Sequence, residues 1–194
     1  MSLHPLNARA GAGELPCWSV ASPARVRHME RVSKLLGEWA GALRLSDEEQ
    51  LRWRAAGILH DSLRGEDARA LRGRLPPTLA GLHPDVVHGP AMAEHLRDEG
   101  VTDEGFLRAV SFHSIGHPKF DRLGRSLYAA DFLEPGRKRR ARECADLRRG
   151  MPDETAKVLV EVAKVRIGYL LYHSLPIRPE TCKFWNVVVR ESHE

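Results

Sequence analysis

The sequence has 194 residues, a length that fits one domain with short extensions and can bury a substantial core. Any disulfide would leave one of its three cysteines unpaired, and none lies in a Cys-x-x-Cys spacing, which favours a reducing, cytoplasmic setting. The net charge of +4 suits an anionic ligand, and no apolar stretch reaches the roughly 18 residues of a membrane span, so we expect a soluble protein.

The N-terminal region changes character at Ser22. Residues 1–21 are rich in Gly, Ala and Pro, and we expect them to form a flexible N-terminal extension. Ser22 followed by Pro23 is a good N-cap and first-turn pair, and apolar residues then recur at helical spacing as far as about Leu43. The pattern therefore predicts a first helix over residues 23–43.

A second helix is predicted to begin after Ser46, which forms a capping box with Glu49. Its apolar stripe ends at His60 and Asp61. An adjacent imidazole and carboxylate at a helix end can turn toward one cation. Because a His-Asp dipeptide is common by chance, a metal site at this point needs support from elsewhere in the chain.

The middle of the chain alternates between loop and helix. Residues 64–82 contain several glycines and prolines and predict a loop with at most one short helix, around residues 67–71. Three further helices are predicted near residues 85–98, 103–113 and 122–133. Each of these three helices carries a histidine or an aspartate that bears on function.

The C-terminal third begins with a strongly basic segment, residues 137–149. A long helix is predicted to open near Pro152 and to end before Pro176, and a last short helix follows. No alternating strand pattern occurs anywhere. We therefore predict an all-α bundle of about seven to nine helices, with one domain over residues 22–175 and a C-terminal segment, residues 176–194, packing back on it.

Other histidine and aspartate residues support the metal site predicted at His60 and Asp61. Asp131 lies in an apolar run, where an unpaired carboxylate would be costly, so a bound cation is the simpler explanation. His28 on its own would be an ordinary, partly exposed histidine. The remaining runs, in order, are Arg27-His28, His88-Gly89-Pro90, His113-Ser114-Ile115-Gly116 and Ala129-Ala130-Asp131-Phe132-Leu133-Glu134-Pro135.

Taken together, these runs resemble the HD-domain superfamily. Within it they are most similar to the bacterial symmetrical diadenosine tetraphosphate hydrolases, whose pattern is His, His-Asp, His-Gly-Pro, His-Thr-x-Gly and Ala-Asp-x-x-Glu-Pro-x-Arg. The similarity extends over about residues 24–190 and is most specific in the run 128–137. It includes Pro179-Glu180-Thr181 and Trp185-Asn186 near the C-terminus.

The resemblance implies an HD-type bundle that cleaves diadenosine tetraphosphate, or a related dinucleoside polyphosphate, into two ADP through a metal-activated water. It implies two metal ions, with iron expected and manganese, cobalt, nickel or zinc as alternatives. Asp61 is the predicted bridging carboxylate. His28, His60 and Asp131 would complete the shell of one ion, and His88 and His113 that of the other.

Three positions depart from the family pattern, and all three concern positive charge. Arg64 stands where the family usually has Lys, His117 replaces a usual Arg, and Lys119 replaces an apolar residue. An Arg fork can still neutralise phosphate, although its geometry differs from that of an ammonium group. We predict Asp61 and Arg64 as catalytic residues. The predicted substrate contacts are Arg64, Ser114, Gly116, His117, Lys119 and Arg137.

Two other interpretations remain open. An HD phosphohydrolase could act on a nucleoside monophosphate, a deoxynucleoside triphosphate or an alarmone, because the pocket and not the metal core decides specificity. A non-catalytic module could bind a nucleotide or RNA through the basic segment. All six ligands are present, however, and Glu143 and Asp146 interrupt the basic run, so nucleic acid is not an expected partner. The sequence leaves open whether the protein is a monomer or a homodimer.

Overall fold

The computed structural model describes residues 3–136 and 140–193. The described residues form eleven helices and no β-strand, which confirms the all-α prediction. The helices are α1 (Pro5–Gly11), α2 (Pro23–Ala42), α3 (Asp47–Leu59), α4 (Ala68–Arg72), α5 (Pro77–Ala80), α6 (His88–Asp98), α7 (Glu104–Phe112), α8 (Arg122–Leu133), α9 (Ala141–Gly150), α10 (Thr155–Tyr172) and α11 (Pro179–Glu191).

Side-chain caps fix where the helices that carry the candidate site begin. The Ser22 hydroxyl accepts a hydrogen bond from the Arg25 amide at the start of α2, and Ser46 caps α3 in the same way. Asp103 caps α7 and Asp121 caps α8. Each cap satisfies an amide that the helix itself leaves unpaired. The predicted starts of α2 and α3 are confirmed.

A glycine allows α2 and α3 to pack closely. A Cβ atom at Gly57 would lie 2.4 Å from the Cα atom of Ser33, so only glycine permits this approach. The Ser33 hydroxyl donates to the carbonyl oxygen of Arg54 across the same contact. Close packing at this point brings His28 on α2 near His60 at the end of α3.

The N-terminal region differs from the flexible extension predicted for residues 1–21. Residues 5–11 form α1, which packs against α3 and buries Asn7 and Ala10. A Cβ atom at Gly11 would lie 2.3 Å from the carbonyl oxygen of Leu51, so the two helices nearly touch. Gly11 therefore serves helix packing in this segment.

More helices form than the seven to nine predicted. The segment 64–82 contains α4, as expected, and also the four-residue α5. The basic segment forms α9 from Ala141 onward, whereas residues 137–139 lie outside the described residues. Every helix in the described ranges is too short or too polar to cross a bilayer.

The core continues beyond the predicted domain limits on both sides. Phe184 on α11 is buried and packs edge-on against Tyr128, with ring centroids 4.9 Å apart. Ala10, on α1, belongs to the same buried cluster. Both flanking helices therefore pack on the core formed within residues 22–175.

Candidate metal centre

His60 and His113 present the same nitrogen from the ends of two helices. His60 follows α3 with Nδ1 2.9 Å from the carbonyl oxygen of Gly57, and His113 follows α7 with Nδ1 2.7 Å from that of Val110. A carbonyl oxygen only accepts hydrogen bonds, so each Nδ1 carries the proton. The Nε2 atom of each ring therefore keeps a lone pair that can bind a cation.

His28, on α2, is oriented by Glu134. Its Nδ1 atom lies 3.4 Å from Glu134 Oε1, and its Nε2 atom lies 3.2 Å from Asp131 Oδ1. Glu134 also accepts from Arg31 Nε at 2.5 Å and from the Gly136 amide at 2.7 Å. Burial would raise the pKa of Glu134, but these hydrogen bonds together hold it below its usual value. Glu134 therefore stays ionised and fixes the His28 ring.

His88 enters the cluster from the first turn of α6. Its Nε2 atom lies 2.9 Å from Asp61 Oδ1 and 3.2 Å from His113 Nε2. Its Nδ1 atom accepts from Arg64 Nη1 at 2.9 Å. A Cβ atom at Gly89 would lie 2.7 Å from the carbonyl oxygen of Ser111, so the glycine after His88 lets α6 approach α7.

Asp61 is the centre of the cluster. The distances from its carboxylate oxygens to the Nε2 atoms of four histidines are 2.9 to 3.7 Å; these histidines are His28, His60, His88 and His113. The carboxylate also accepts a hydrogen bond from Arg25 Nη1 at 2.7 Å. Burial by itself would raise the pKa of Asp61. Interactions with the surrounding imidazoles, that of His60 foremost, outweigh burial and hold the pKa well below its usual value. An ionised carboxylate at this point suits a metal ligand.

Two groups of donor atoms have the spacing of metal ligands. One contains His28, His60 and Asp131, the other His60, Asp61 and His113, and the donor atoms of each lie within 4.8 Å of one another. The Nε2 atoms of His28 and His60 are buried and make no hydrogen bond within the described residues. Buried, unpaired ring nitrogens beside carboxylates are what a metal ion would satisfy, so the residues fit a metal centre.

All six predicted ligands are brought together, although their grouping differs in one respect. The first group is the predicted shell of one ion. In the second group His60 takes the place predicted for His88, which belongs to neither group. His88 nevertheless lies against both Asp61 and His113, at the distances given above.

A cavity of about 390 Å³ opens over this cluster. Its lining includes Arg25, Arg64 and Ser114 together with His28, Asp61, His88, His113 and Asp131. Two arginines beside a cluster that can hold cations make the cavity suited to a polyanion.

Only some of the residues predicted to contact the substrate line this cavity. Arg64 and Ser114 line it, whereas Gly116, His117 and Lys119 do not. Gly116 has a φ of 80°, and a Cβ atom there would lie 2.4 Å from the ring of Phe184. The residues 116–119 therefore belong to the loop between α7 and α8 that packs on α11.

The contacts made by the side chains of that loop explain why they do not line the cavity. The His117 ring packs against Phe112, with centroids 4.6 Å apart, and its Nδ1 atom accepts from the Lys119 amide at 3.1 Å. Burial lowers the pKa of His117, and the charge of Arg108 adds to that effect. Lys119 is exposed. Arg137 lies outside the described residues.

Four residues that contact the candidate ligands or their direct partners were not singled out from the sequence: Arg25, Arg31, Glu134 and Arg166. Arg25 and Arg31 are each three residues from His28, on the same face of α2, so helical spacing could have suggested them. Glu134 lies within the run that resembles the family but was given no role. Arg166 carries no sequence signal, because its contacts depend on how α10 docks on α8.

The HD domain family model matches residues 25–136 of this chain, more than half of its length. The chain belongs to the HD domain family. The matched region contains every predicted metal ligand, so the HD assignment and the geometry concern the same residues. This HD-domain protein is a hydrolase.

Curated relatives carry one common name. The HD-domain protein is 26% identical to the symmetrical bis(5'-nucleosyl)-tetraphosphatase of Halalkalibacterium halodurans, over 76% of this chain and 81% of that protein. It is 27% identical to the enzyme of the same name from Bacillus subtilis, over 71% of this chain and 76% of the relative. A Staphylococcus aureus protein of that name is 27% identical over 58% of this chain and 60% of its own.

A solved structure supports the fold. It is the crystal structure of a predicted HD superfamily hydrolase involved in NAD metabolism from Clostridium acetobutylicum, which is 22% identical to this chain. The two superimpose with a TM-score of 0.77 over 89% of this chain and 92% of the other. At this identity the likeness establishes the fold alone.

Proposed function

We propose that this HD-domain hydrolase cleaves diadenosine tetraphosphate, or a related dinucleoside polyphosphate, symmetrically into two ADP. One observation carries the proposal. Four imidazoles and two carboxylates meet, buried, beneath a cavity that Arg25 and Arg64 line. The name shared by the curated relatives supports the choice of substrate.

The proposal includes a pair of metal ions, with iron as the expected metal. His28, His60 and Asp131 would hold one ion, His88 and His113 the other, and Asp61 would lie between them. When bound, such ions lower the pKa of a water and neutralise charge on phosphoryl oxygens. The unpaired Nε2 atoms of His28 and His60 support this ligand set.

The two arginines of the cavity would bind the phosphate chain. Arg25 already pairs with a buried carboxylate, Asp61, at 2.7 Å, and Arg64 contacts Asp85 and His88. Guanidinium groups donate in a planar fork that matches two phosphate oxygens, so each arginine would orient the substrate as well as neutralise it. Symmetric cleavage requires the central phosphates to lie over Asp61, between the two arginines.

A substrate panel tests the proposal. The purified protein, supplied with Fe²⁺ or Mn²⁺, is incubated with diadenosine tetraphosphate, ATP, dATP, AMP and guanosine tetraphosphate, and the products are separated by chromatography. We expect ADP as the only nucleotide product from diadenosine tetraphosphate, and turnover at least about 100-fold slower with the others. AMP with ATP as products, or faster cleavage of a different nucleotide, would overturn the assignment.

Elemental analysis of the same preparation addresses the metal. We expect about two metal ions per chain after reconstitution under anaerobic conditions with Fe²⁺, and loss of turnover after treatment with a chelator. A fully active protein that contains no transition metal would contradict the proposed centre.

A further inference from the structure

Arg166 reaches the candidate metal centre from α10, a helix that contributes no ligand. Its Nη2 atom donates to Asp131 Oδ2 at 2.9 Å. The same guanidinium donates to the backbone carbonyls of Ser114 at 3.0 Å and Tyr128 at 3.2 Å. Its Cζ atom lies 4.5 Å from the centroid of the Tyr128 ring. The Arg166 guanidinium group thus connects α8, α10 and the loop that follows α7.

The two oxygens of Asp131 face different partners. Oδ2 accepts from Arg166, whereas Oδ1 lies 3.2 Å from His28 Nε2, on the side of the candidate ligand group. The carboxylate is 10% exposed and the Arg166 side chain 18% exposed, so water competes weakly for either group. With one oxygen held by the guanidinium, the other is left directed at the ligand group.

Arg166 has no access to a substrate in the cavity. Its side chain is absent from the cavity lining, which Arg25 and Arg64 supply. The donors of its two Nη atoms point at Asp131 and at two carbonyl oxygens. The guanidinium is therefore placed to act on a ligand and on the backbone of Ser114, which does line the cavity.

We propose that Arg166 is a positioning residue that holds Asp131 as a one-oxygen ligand and fixes the Ser114 backbone beside it. The proposal rests on the metal-dependent function proposed above. Partners of this kind commonly change metal affinity about 10- to 100-fold. A purely structural tie between α8 and α10 would lower the stability of the fold and leave the metal affinity of the folded protein unchanged.

The test compares two Arg166 variants with a matched control. R166Q removes the cation, and R166K keeps the charge but cannot reach Asp131 and both carbonyls at once. The control is R125Q, because Arg125 on α8 also ties two helices together, through a bond from Nη2 to Glu191 Oε1 at 2.8 Å, and Glu191 is not a candidate metal ligand. Mn²⁺ binding to the metal-free protein is followed by the electron paramagnetic resonance signal of free Mn²⁺.

We expect R166Q to bind one of two Mn²⁺ ions about 10- to 100-fold more weakly than the wild type, and R166K to lie between them. R125Q should bind Mn²⁺ as the wild type does, even if its melting temperature falls. Saturating Mn²⁺ should restore most of the R166Q turnover. Wild-type Mn²⁺ affinity in a folded R166Q or R166K would overturn the proposal, and R166K decides the matter if R166Q does not fold.

The proposed role of Arg166 and the proposed function can be refuted independently of each other. A wild type that binds Mn²⁺ but cleaves no dinucleoside polyphosphate would refute the substrate assignment and leave the role of Arg166 standing. A wild type that cleaves the substrate, with variants whose Mn²⁺ affinity is unchanged, would refute only the role of Arg166.

Discussion

At the scale of single residues, Asp61 has the largest number of partners in the centre. It touches four imidazoles and Arg25, and its pKa is held low by those neighbours against the effect of burial. A neutral amide at this position would keep the shape of the side chain and lose the charge that the proposed metal ions would need. Asp61 is therefore the position at which charge and function are most directly linked.

We expect Asp61→Asn to lower turnover of diadenosine tetraphosphate more than about 100-fold, because even the outer partners of metal ligands commonly contribute about 10- to 100-fold. Metal content should fall with activity, as measured by elemental analysis of the folded variant. Asp146→Asn, on the exposed surface of α9, is the matched control and should retain both. Full activity in Asp61→Asn would refute the proposed centre.

We expect His88 to make the metal-free protein sensitive to acid. Burial, with the His113 ring and the charge of Arg64 nearby, lowers the pKa of His88 to about 4 against the opposing effect of Asp61. Between pH 6.5 and about 4 the unfolded chain therefore binds a proton that the folded chain does not. The free energy of unfolding should fall by about 3 kcal/mol from pH 7 to pH 4 on this account.

Urea titrations of the metal-free protein at several pH values measure this change. In His88→Gln, which lacks the titrating group, the slope of stability against pH should be smaller over the same interval. Equal slopes in the wild type and the variant would contradict the assignment of the acid sensitivity to His88.

At the scale of elements, the centre depends on helices that approach closely at glycines. Gly57 sets the distance between α2 and α3, and Gly89 sets that between α6 and α7. Both glycines lie near a candidate ligand, His60 in one case and His88 in the other. Helix packing and the geometry of the site are therefore controlled by the same positions.

We expect Gly57→Ala to destabilise the fold by about 1–3 kcal/mol, because its Cβ atom would meet the backbone of Ser33 at 2.4 Å. Gly168→Ala in α10 is the matched control, since nothing lies within 4 Å of its added Cβ atom. The control should gain about 0.5–1 kcal/mol from helix propensity. In urea unfolding, we expect the free energy of unfolding to change in opposite directions in the two variants. A Gly57→Ala variant as stable as the wild type would show that the two helices can separate at little cost.

At the scale of the whole molecule, α11 supports the loop between α7 and α8 from behind. The Thr181 hydroxyl donates to the carbonyl oxygen of Ile115 at 2.8 Å, and Phe184 packs on Gly116. His113 and Ser114, which belong to the centre, lie directly before these residues. The C-terminal helix thus stabilises the site without contributing a ligand to it.

We expect Phe184→Ala to lower the free energy of unfolding by about 3–5 kcal/mol, because its ring is 1% exposed and packs on Tyr128 and Phe120. Tyr172→Ala, at a position 85% exposed, should change stability by no more than about 0.5 kcal/mol. Chemical unfolding of both variants provides the comparison. Equal stability of the two would show that α11 does not belong to the cooperative unit.

Residues whose chemistry is visible in short motifs were predictable from the sequence. His60 and Asp61 are adjacent, and the all-α fold follows from helical periodicity and capping residues. His117 and Lys119, predicted from positive charge, do not line the cavity, and nothing in their local sequence shows that this loop packs on Phe184. Arg166 lies 35 residues after its partner Asp131 and shares no motif with it, so only the docking of α10 reveals the contact.

The candidate ligands come from or directly follow five helices, α2, α3, α6, α7 and α8, and span residues 28 to 131 of the chain. An unfolded chain scatters these groups, so a chelating ion distinguishes strongly between the folded and unfolded states. By mass action, an ion at 100 times its dissociation constant would add about 2.7 kcal/mol to the unfolding free energy. The supply of metal would then control how long the protein survives proteolysis as well as how fast it works.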